Sequence, residues 1–182
     1  VKDLPGAIID CGVFKGTSLV RFAGFRELFG NTASHKIIGF DTFDCFPETE
    51  FEQDKKFRER FILHAGSNSI TVNQLEKVLN NKGVNKNIEL VKGDITQTVP
   101  LFVKNNPDLK ISLLNLDTDI YEPAVIILEH LYPKISTGGV LLLDDYGEFP
   151  GETKAVDDYF ANKNVVIKKS PFAETPCFII KP

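Results

Sequence analysis

Aspartates follow two of the most apolar runs in this chain: Asn115-Leu-Asp117-Thr-Asp119-Ile-Tyr121 after one, and Leu143-Asp144-Asp145-Tyr146 at the close of another. Residues two apart on a strand point to one face, so Asp117 and Asp119 could converge even if the strand is already ending there. Asp144 and Asp145 would then lie on the next strand or close by. Carboxylate oxygens with room for water are what Mg²⁺ prefers. The three histidines, His35, His64 and His130, have no ligand spacing, so zinc or iron fits less well than magnesium. The plainer alternative is that these acids cap helices and pair with lysines. Two adjacent acids directly after a buried strand are costly without a partner, however.

A second group lies upstream. Asp10-Cys-Gly12-Val13-Phe14-Lys15-Gly16-Thr17-Ser18 crosses from an apolar run into a helical pattern. Gly12 permits a tight turn, and Gly16 lets a ligand or strand approach the helix start. Free N–H groups there suit a carboxylate or phosphate. Phe14 stands where a dinucleotide fingerprint needs its second glycine, so a pyrophosphate is poorly accommodated. S-adenosylmethionine has none. Asp41, in Asp41-Thr42-Phe43-Asp44, closes the next run, where an acid can accept hydrogen bonds from both ribose hydroxyls. A turn-forming Asp is the alternative, and the glycine turn upstream favours ribose. Gly93-Asp94 ends a third run, and Asp94 alone reads as a helix cap.

The elements that must position these groups alternate. Apolar strand patterns cover 7–13, 36–43, 88–91, 111–119, 140–145, 165–169 and 177–180. Helical spacing covers 17–29, 70–80, 99–105, 123–131 and 153–161. This predicts an α/β, Rossmann-like three-layer sandwich: a mostly parallel sheet of about seven strands with one antiparallel strand near the C-terminus. Nearly every strand ends in an acid (Asp10, Asp41, Asp94, Asp117 with Asp119, Asp144 with Asp145), at the edge where open α/β sheets bind ligands. Residues 44–69 are too long for a plain βα connection of about 2–6 residues. A helical pattern over 54–63 puts Phe57 and Phe61 on one side, either a solvated helix packed on the domain or a lid over the site.

The 182 residues suit one domain, 1–182, and the net charge of −4 argues against nucleic acid or an anionic membrane as partner. Neither a spanning apolar run nor a signal peptide is visible. Cys11, Cys45 and Cys177 form no metal or disulfide pattern, so the expected location is cytoplasmic. With no methionine at all, and Val1 close to the first strand, the chain reads as trimmed at its N-terminus.

The order Asp10-x-Gly12-x-x-x-Gly16, Gly39-Phe-Asp41-Thr-Phe-Asp-x-Phe-Pro47, Gly93-Asp-x-x-x-Thr98-x-Pro100, Asp117-x-Asp119-x-Tyr121 and Asp144-Asp145-Tyr146-Gly147 resembles the macrocin O-methyltransferase (TylF/MycF) family over essentially the whole chain. These are class I enzymes that use S-adenosylmethionine and Mg²⁺ to methylate sugar hydroxyls on natural products. The resemblance implies that 12–16 hold the methionine part of the cofactor, Asp41 the ribose, and Gly93 and Asp94 the adenine. The implied cofactor set is Asp10, Gly12, Val13, Phe14, Lys15, Gly16, Thr17, Asp41, Thr42, Gly93, Asp94 and Asp117. Asp117, Asp144 and Asp145 would ligate Mg²⁺, and Asp119 would be the general base. Asp10 stands where many relatives carry Glu, and the family's N-terminal arm is not evident.

The expected activity is therefore Mg²⁺-assisted methylation of a small hydroxylated acceptor, a sugar or sugar-bearing metabolite. A metal-dependent glycosyltransferase using Asp117-x-Asp119 is the enzyme alternative, but it leaves the glycine turn followed by Asp41 unexplained. A non-catalytic nucleoside-binding domain is the other. The acceptor is not legible, and a homo-oligomer is compatible with the sequence.

Overall fold

A computed structural model describes residues 1, 3–30 and 32–182. Among these, seven strands and six α-helices follow in the order β1 (Ala7–Cys11), α1 (Thr17–Leu28), β2 (Ile37–Asp41), α2 (Glu52–Ala65), α3 (Val72–Asn81), β3 (Ile88–Lys92), α4 (Ile95–Asn105), β4 (Ile111–Leu116), α5 (Tyr121–His130), β5 (Ile135–Leu143), α6 (Pro150–Phe160), β6 (Lys168–Lys169) and β7 (Cys177–Ile180). They build one sheet in the order β3-β2-β1-β4-β5-β7-β6. Only β7 runs against its neighbours, as the sequence pattern predicts. The winding direction reverses between β1 and β4, and the crevice at that switch point opens at the strands' carboxyl ends.

Strand residues alternate between two cores. Ile8 and Ile37 face one side and meet Leu19 and Ala23 of α1 and Leu75 and Leu79 of α3. Ile9, Cys11, Ile38 and Phe40 face the other, against Val99 of α4, Ala124, Ile127 and Leu128 of α5, and Ala155 and Val156 of α6. Both faces of the central strands are covered, so these strands read as continuous apolar runs. No helix of the described residues is long and apolar enough to cross a membrane.

Boundaries differ from the pattern where caps and irregularities act. α4 begins at Ile95, four residues earlier than periodicity suggests and ahead of Pro100, because Asp94 accepts from Thr96 N–H (2.8 Å) and starts the helix. β5 begins at Ile135, and its pairing with β4 is irregular around Gly138-Gly139. β6 is reduced to two residues.

Candidate active site

The turn after β1 is shaped by what presses on it. Gly12 has φ 91°, and a Cβ there would lie 1.6 Å from the carbonyl oxygen of Asp117. Gly16, at φ 83°, caps α1, and a Cβ there would meet Leu75 at 2.8 Å. The space these glycines leave is thus taken up by the chain itself: the end of β4 at Gly12 and α3 at Gly16. Asp10 is fully buried beneath the turn and accepts from Ser18 Oγ (2.8 Å) and Asn115 Nδ2 (2.9 Å). Burial pushes its pKa up to about 6 despite those two bonds. Asp41 accepts from the N–H groups of Phe14 (2.9 Å) and Phe43 (2.6 Å), tying the first turn to the second. It therefore forms its own turn and also lines the cavity described next.

A cavity of about 560 Å³ opens over these turns. Gly12, Val13, Phe14, Lys15, Thr17, Asp41, Thr42 and Asp94 line one part of it, and Asp117, Asp119, Asp144 and Asp145 another. Asp10, Gly16 and Gly93 do not line it.

The four acids meet, but not by strand pleating. β4 ends at Leu116, so both acids of the first segment lie beyond it. Asp117 N–H donates to Cys11 O (3.0 Å), and Asp119 then turns into the left-handed region at φ 63°. Asp tolerates that region better than most residues, at some cost in strain. One carboxylate oxygen each from Asp117, Asp144 and Asp145 lie within 4.8 Å of one another. Asp119 hydrogen-bonds Asp145. No ion pair among the described residues neutralises any of the four.

Burial, reinforced by the neighbouring carboxylates of Asp144, Asp10, Asp145 and Asp119, pushes Asp117 up to about 9. Burial and then Asp144 raise Asp145 to about 6. Asp119 is held well above the carboxylate range by burial and by Asp145, and Asp144 is raised by burial. An all-oxygen cluster whose members keep protons for want of positive charge fits a hard divalent cation.

Residues 44–69 are pinned to the rest of the domain, and Phe46, Pro47, Glu48, Glu50 and Phe61 of this stretch line the cavity. Asp54 of α2 is fully buried and accepts from Tyr121 N–H (2.9 Å) and Gly151 N–H (2.7 Å), so it caps both α5 and α6 from a third helix. Glu122 accepts from the N–H groups of Glu50 (2.7 Å) and Phe51 (3.1 Å). Phe61 contacts Phe14, Phe46 and Phe149 at ring-centroid distances of 5.2, 5.3 and 6.4 Å, and all four rings line the cavity. Asp54→Ala should cost about 2–4 kcal/mol, the loss of two helix caps with their N–H groups left buried. Urea denaturation measures this; an unchanged midpoint would mean that water satisfies both helix ends.

Two buried acids escape a reading of the sequence. Asp54 sits in a mixed-charge pattern that looks solvated, and Glu152 in the first turn of α6 looks like an ordinary dipole partner. Glu152 is fully buried; its Oε1 accepts from Asp145 N–H (3.1 Å), while its Oε2 has no partner.

A seven-stranded sheet of this order, with its crevice at the β1–β4 switch point, is the class I methyltransferase architecture. Within that class, the chain belongs to the TylF macrocin O-methyltransferase family, whose profile matches residues 1–173. It is 27% identical over 158 residues to the 8-demethyl-8-(2,3-dimethoxy-alpha-L-rhamnosyl)-tetracenomycin-C 4'-O-methyltransferase of Streptomyces olivaceus, covering 86% of this chain and 58% of that protein. Against the demethyldecarbamoylnovobiocin O-methyltransferase of Streptomyces niveus it is 25% identical over 170 residues, covering 90% and 62%. The chain thus spans about three fifths of the length of these relatives. Among solved structures, the calicheamicin methyltransferase CalS11 superposes with a TM-score of 0.82 at 27% identity, over 99% of this chain and 74% of that one. The O-methyltransferase NovP, at 21% identity and a TM-score of 0.83 over 98% and 73%, shares the fold.

Proposed function

We propose that residues 1–182 form the catalytic domain of an S-adenosylmethionine-dependent, Mg²⁺-assisted O-methyltransferase acting on a hydroxyl of a small sugar-bearing molecule. The observation that carries this reading is the meeting of Asp117, Asp144 and Asp145 within 4.8 Å, with Asp119 bonded to Asp145, in the same cavity as the Gly12 turn and Asp41. The rhamnosyl group in the name of the tetracenomycin-C 4'-O-methyltransferase supports a sugar-bearing acceptor, and demethyldecarbamoylnovobiocin in the other relative's name supports a small molecule.

In this reading the main chain at 12–15 holds the methionine part of the cofactor. Asp41 and Thr42 face the ribose, and Asp94 the adenine. Asp10, Gly16 and Gly93 act from behind the wall by fixing the turns. S-adenosylmethionine supplies the methyl group. Asp117, Asp144 and Asp145 would hold a divalent cation, which would supply positive charge that lowers the pKa of an alcohol and of the carboxylates around it. With these groups bound, Asp119 would take up the acceptor's hydroxyl proton, while the methyl passes from the sulfonium sulfur to the acceptor oxygen and S-adenosylhomocysteine leaves. The protein otherwise contributes alignment, which in well-oriented reactions is worth about 7–11 kcal/mol. The aromatic wall of Phe14, Phe46, Phe61 and Phe149 excludes water from one side.

A methyl-transfer screen with labelled donor across sugar and phenol acceptors, with and without Mg²⁺, tests the reading. S-adenosylhomocysteine should also stabilise the chain, by about 2.7 kcal/mol at a hundredfold excess over Kd. Stabilisation by UDP with Mn²⁺ but not by S-adenosylhomocysteine would replace the proposal with a glycosyltransferase.

A further inference from the structure

Glu152 is in an expensive place. A buried carboxyl that makes one hydrogen bond and leaves its second oxygen without a partner is disfavoured, and an apolar side chain of similar size would fill that space more cheaply. Filling space therefore does not account for it. What distinguishes Glu152 is what it holds. Oε1 accepts from Asp145 N–H at 3.1 Å, within the segment that carries Asp144 and Asp145. Its own N–H donates to Asp119 O at 3.3 Å, where the chain passes through the left-handed region at φ 63°. The two acidic segments follow different strands, and one residue on the first turn of α6 fastens both. α6 is itself anchored, since Asp54 accepts from Gly151 N–H.

We infer that Glu152 is a positioning residue, fixing the main chain of Asp145 and Asp119 so that Asp117, Asp144 and Asp145 stay close enough to share a cation and Asp119 stays beside Asp145. The inference rests on the metal-assisted reading above. It does not make Glu152 a ligand, because the residue does not line the cavity. The side chain acts through Asp145 N–H, since the main-chain bond to Asp119 O persists in any substitution, and partners of this kind typically change metal affinity by about 10–100-fold when removed.

The test compares Glu152→Gln, which keeps a side-chain carbonyl for Asp145 N–H, with Glu152→Met and Glu152→Leu, which have no acceptor. Mn²⁺ binding is followed by electron paramagnetic resonance, and S-adenosylhomocysteine binding by calorimetry, which also reports folding. Glu152→Met and Glu152→Leu should raise the Kd for Mn²⁺ by about 10–100-fold, while Glu152→Gln keeps it within about threefold of the parent and S-adenosylhomocysteine affinity holds throughout. A role in folding alone would lower Tm and leave the Mn²⁺ affinity of the folded protein unchanged. Parental Mn²⁺ affinity in Glu152→Met and Glu152→Leu would overturn the inference, as would Glu152→Gln binding no better than they do. If the parent itself binds no Mn²⁺, the metal-assisted reading falls and the inference with it. Parental binding with unaffected variants removes the inference alone.

Discussion

Asp119→Asn should lower kcat by about 10²–10⁴-fold, the usual contribution of a positioned general base, and leave S-adenosylhomocysteine affinity within about threefold. Asparagine has nearly the shape of aspartate and tolerates the left-handed conformation that Asp119 adopts at φ 63°. Its amide can still hydrogen-bond Asp145. What it cannot do is take up a proton. In the cation-free fold burial and Asp145 hold Asp119 protonated, whereas the unfolded chain has lost that proton near neutrality, so an asparagine that needs no proton should leave stability equal or higher. Loss of turnover with retained or improved Tm would separate a proton acceptor from a structural support. Full activity in the variant would remove Asp119 from the chemistry. Lost cofactor binding would make it part of the pocket wall instead.

The architecture around this residue is legible in the sequence because both periodicities are strong. Strands buried on two faces give unbroken apolar runs, and amphipathic helices separate them. The acids at the strand ends are legible too, since each interrupts such a run. The route by which they converge is not. Strand pleating predicts that Asp117 and Asp119 share a face, yet the strand stops at Leu116 and a left-handed Asp119 brings the second acid round. Gly12 illustrates the same limit. Its type and position mark a turn, but only coordinates reveal that the neighbour it accommodates is the carbonyl of Asp117. Asp54 and Glu152 are harder still, because a lone acid in a helix has many ordinary uses. Nothing local distinguishes one that caps two other helices, or one that fastens a loop carrying half of the acidic cluster.

Removing divalent cations should abolish methyl transfer, and the cation's effect on stability should grow with pH. In the cation-free protein Asp117, raised to about 9, and Asp145 and Asp10, raised to about 6, keep protons that the same groups lose near 4 in the unfolded chain. The folded state then binds more protons than the unfolded one, so its stability falls as pH rises. The contributions of Asp145 and Asp10 are lost between about pH 4 and 6, and that of Asp117 continues to be lost up to about pH 9. A cation binds the deprotonated carboxylates and opposes this loss. Thermal melts with EDTA or with Mg²⁺ should therefore nearly coincide at roughly pH 5.5 and separate at roughly pH 8.5, the Mg²⁺ sample being the more stable. Asp144→Asn with Asp145→Asn should make the EDTA curve shallower, by the part due to Asp145, and erase the separation, while burial keeps the contributions of Asp117 and Asp10. Melts that coincide at both pH values, together with transfer undiminished by EDTA, would leave the cluster without a metal role and require another source of positive charge for its carboxylates.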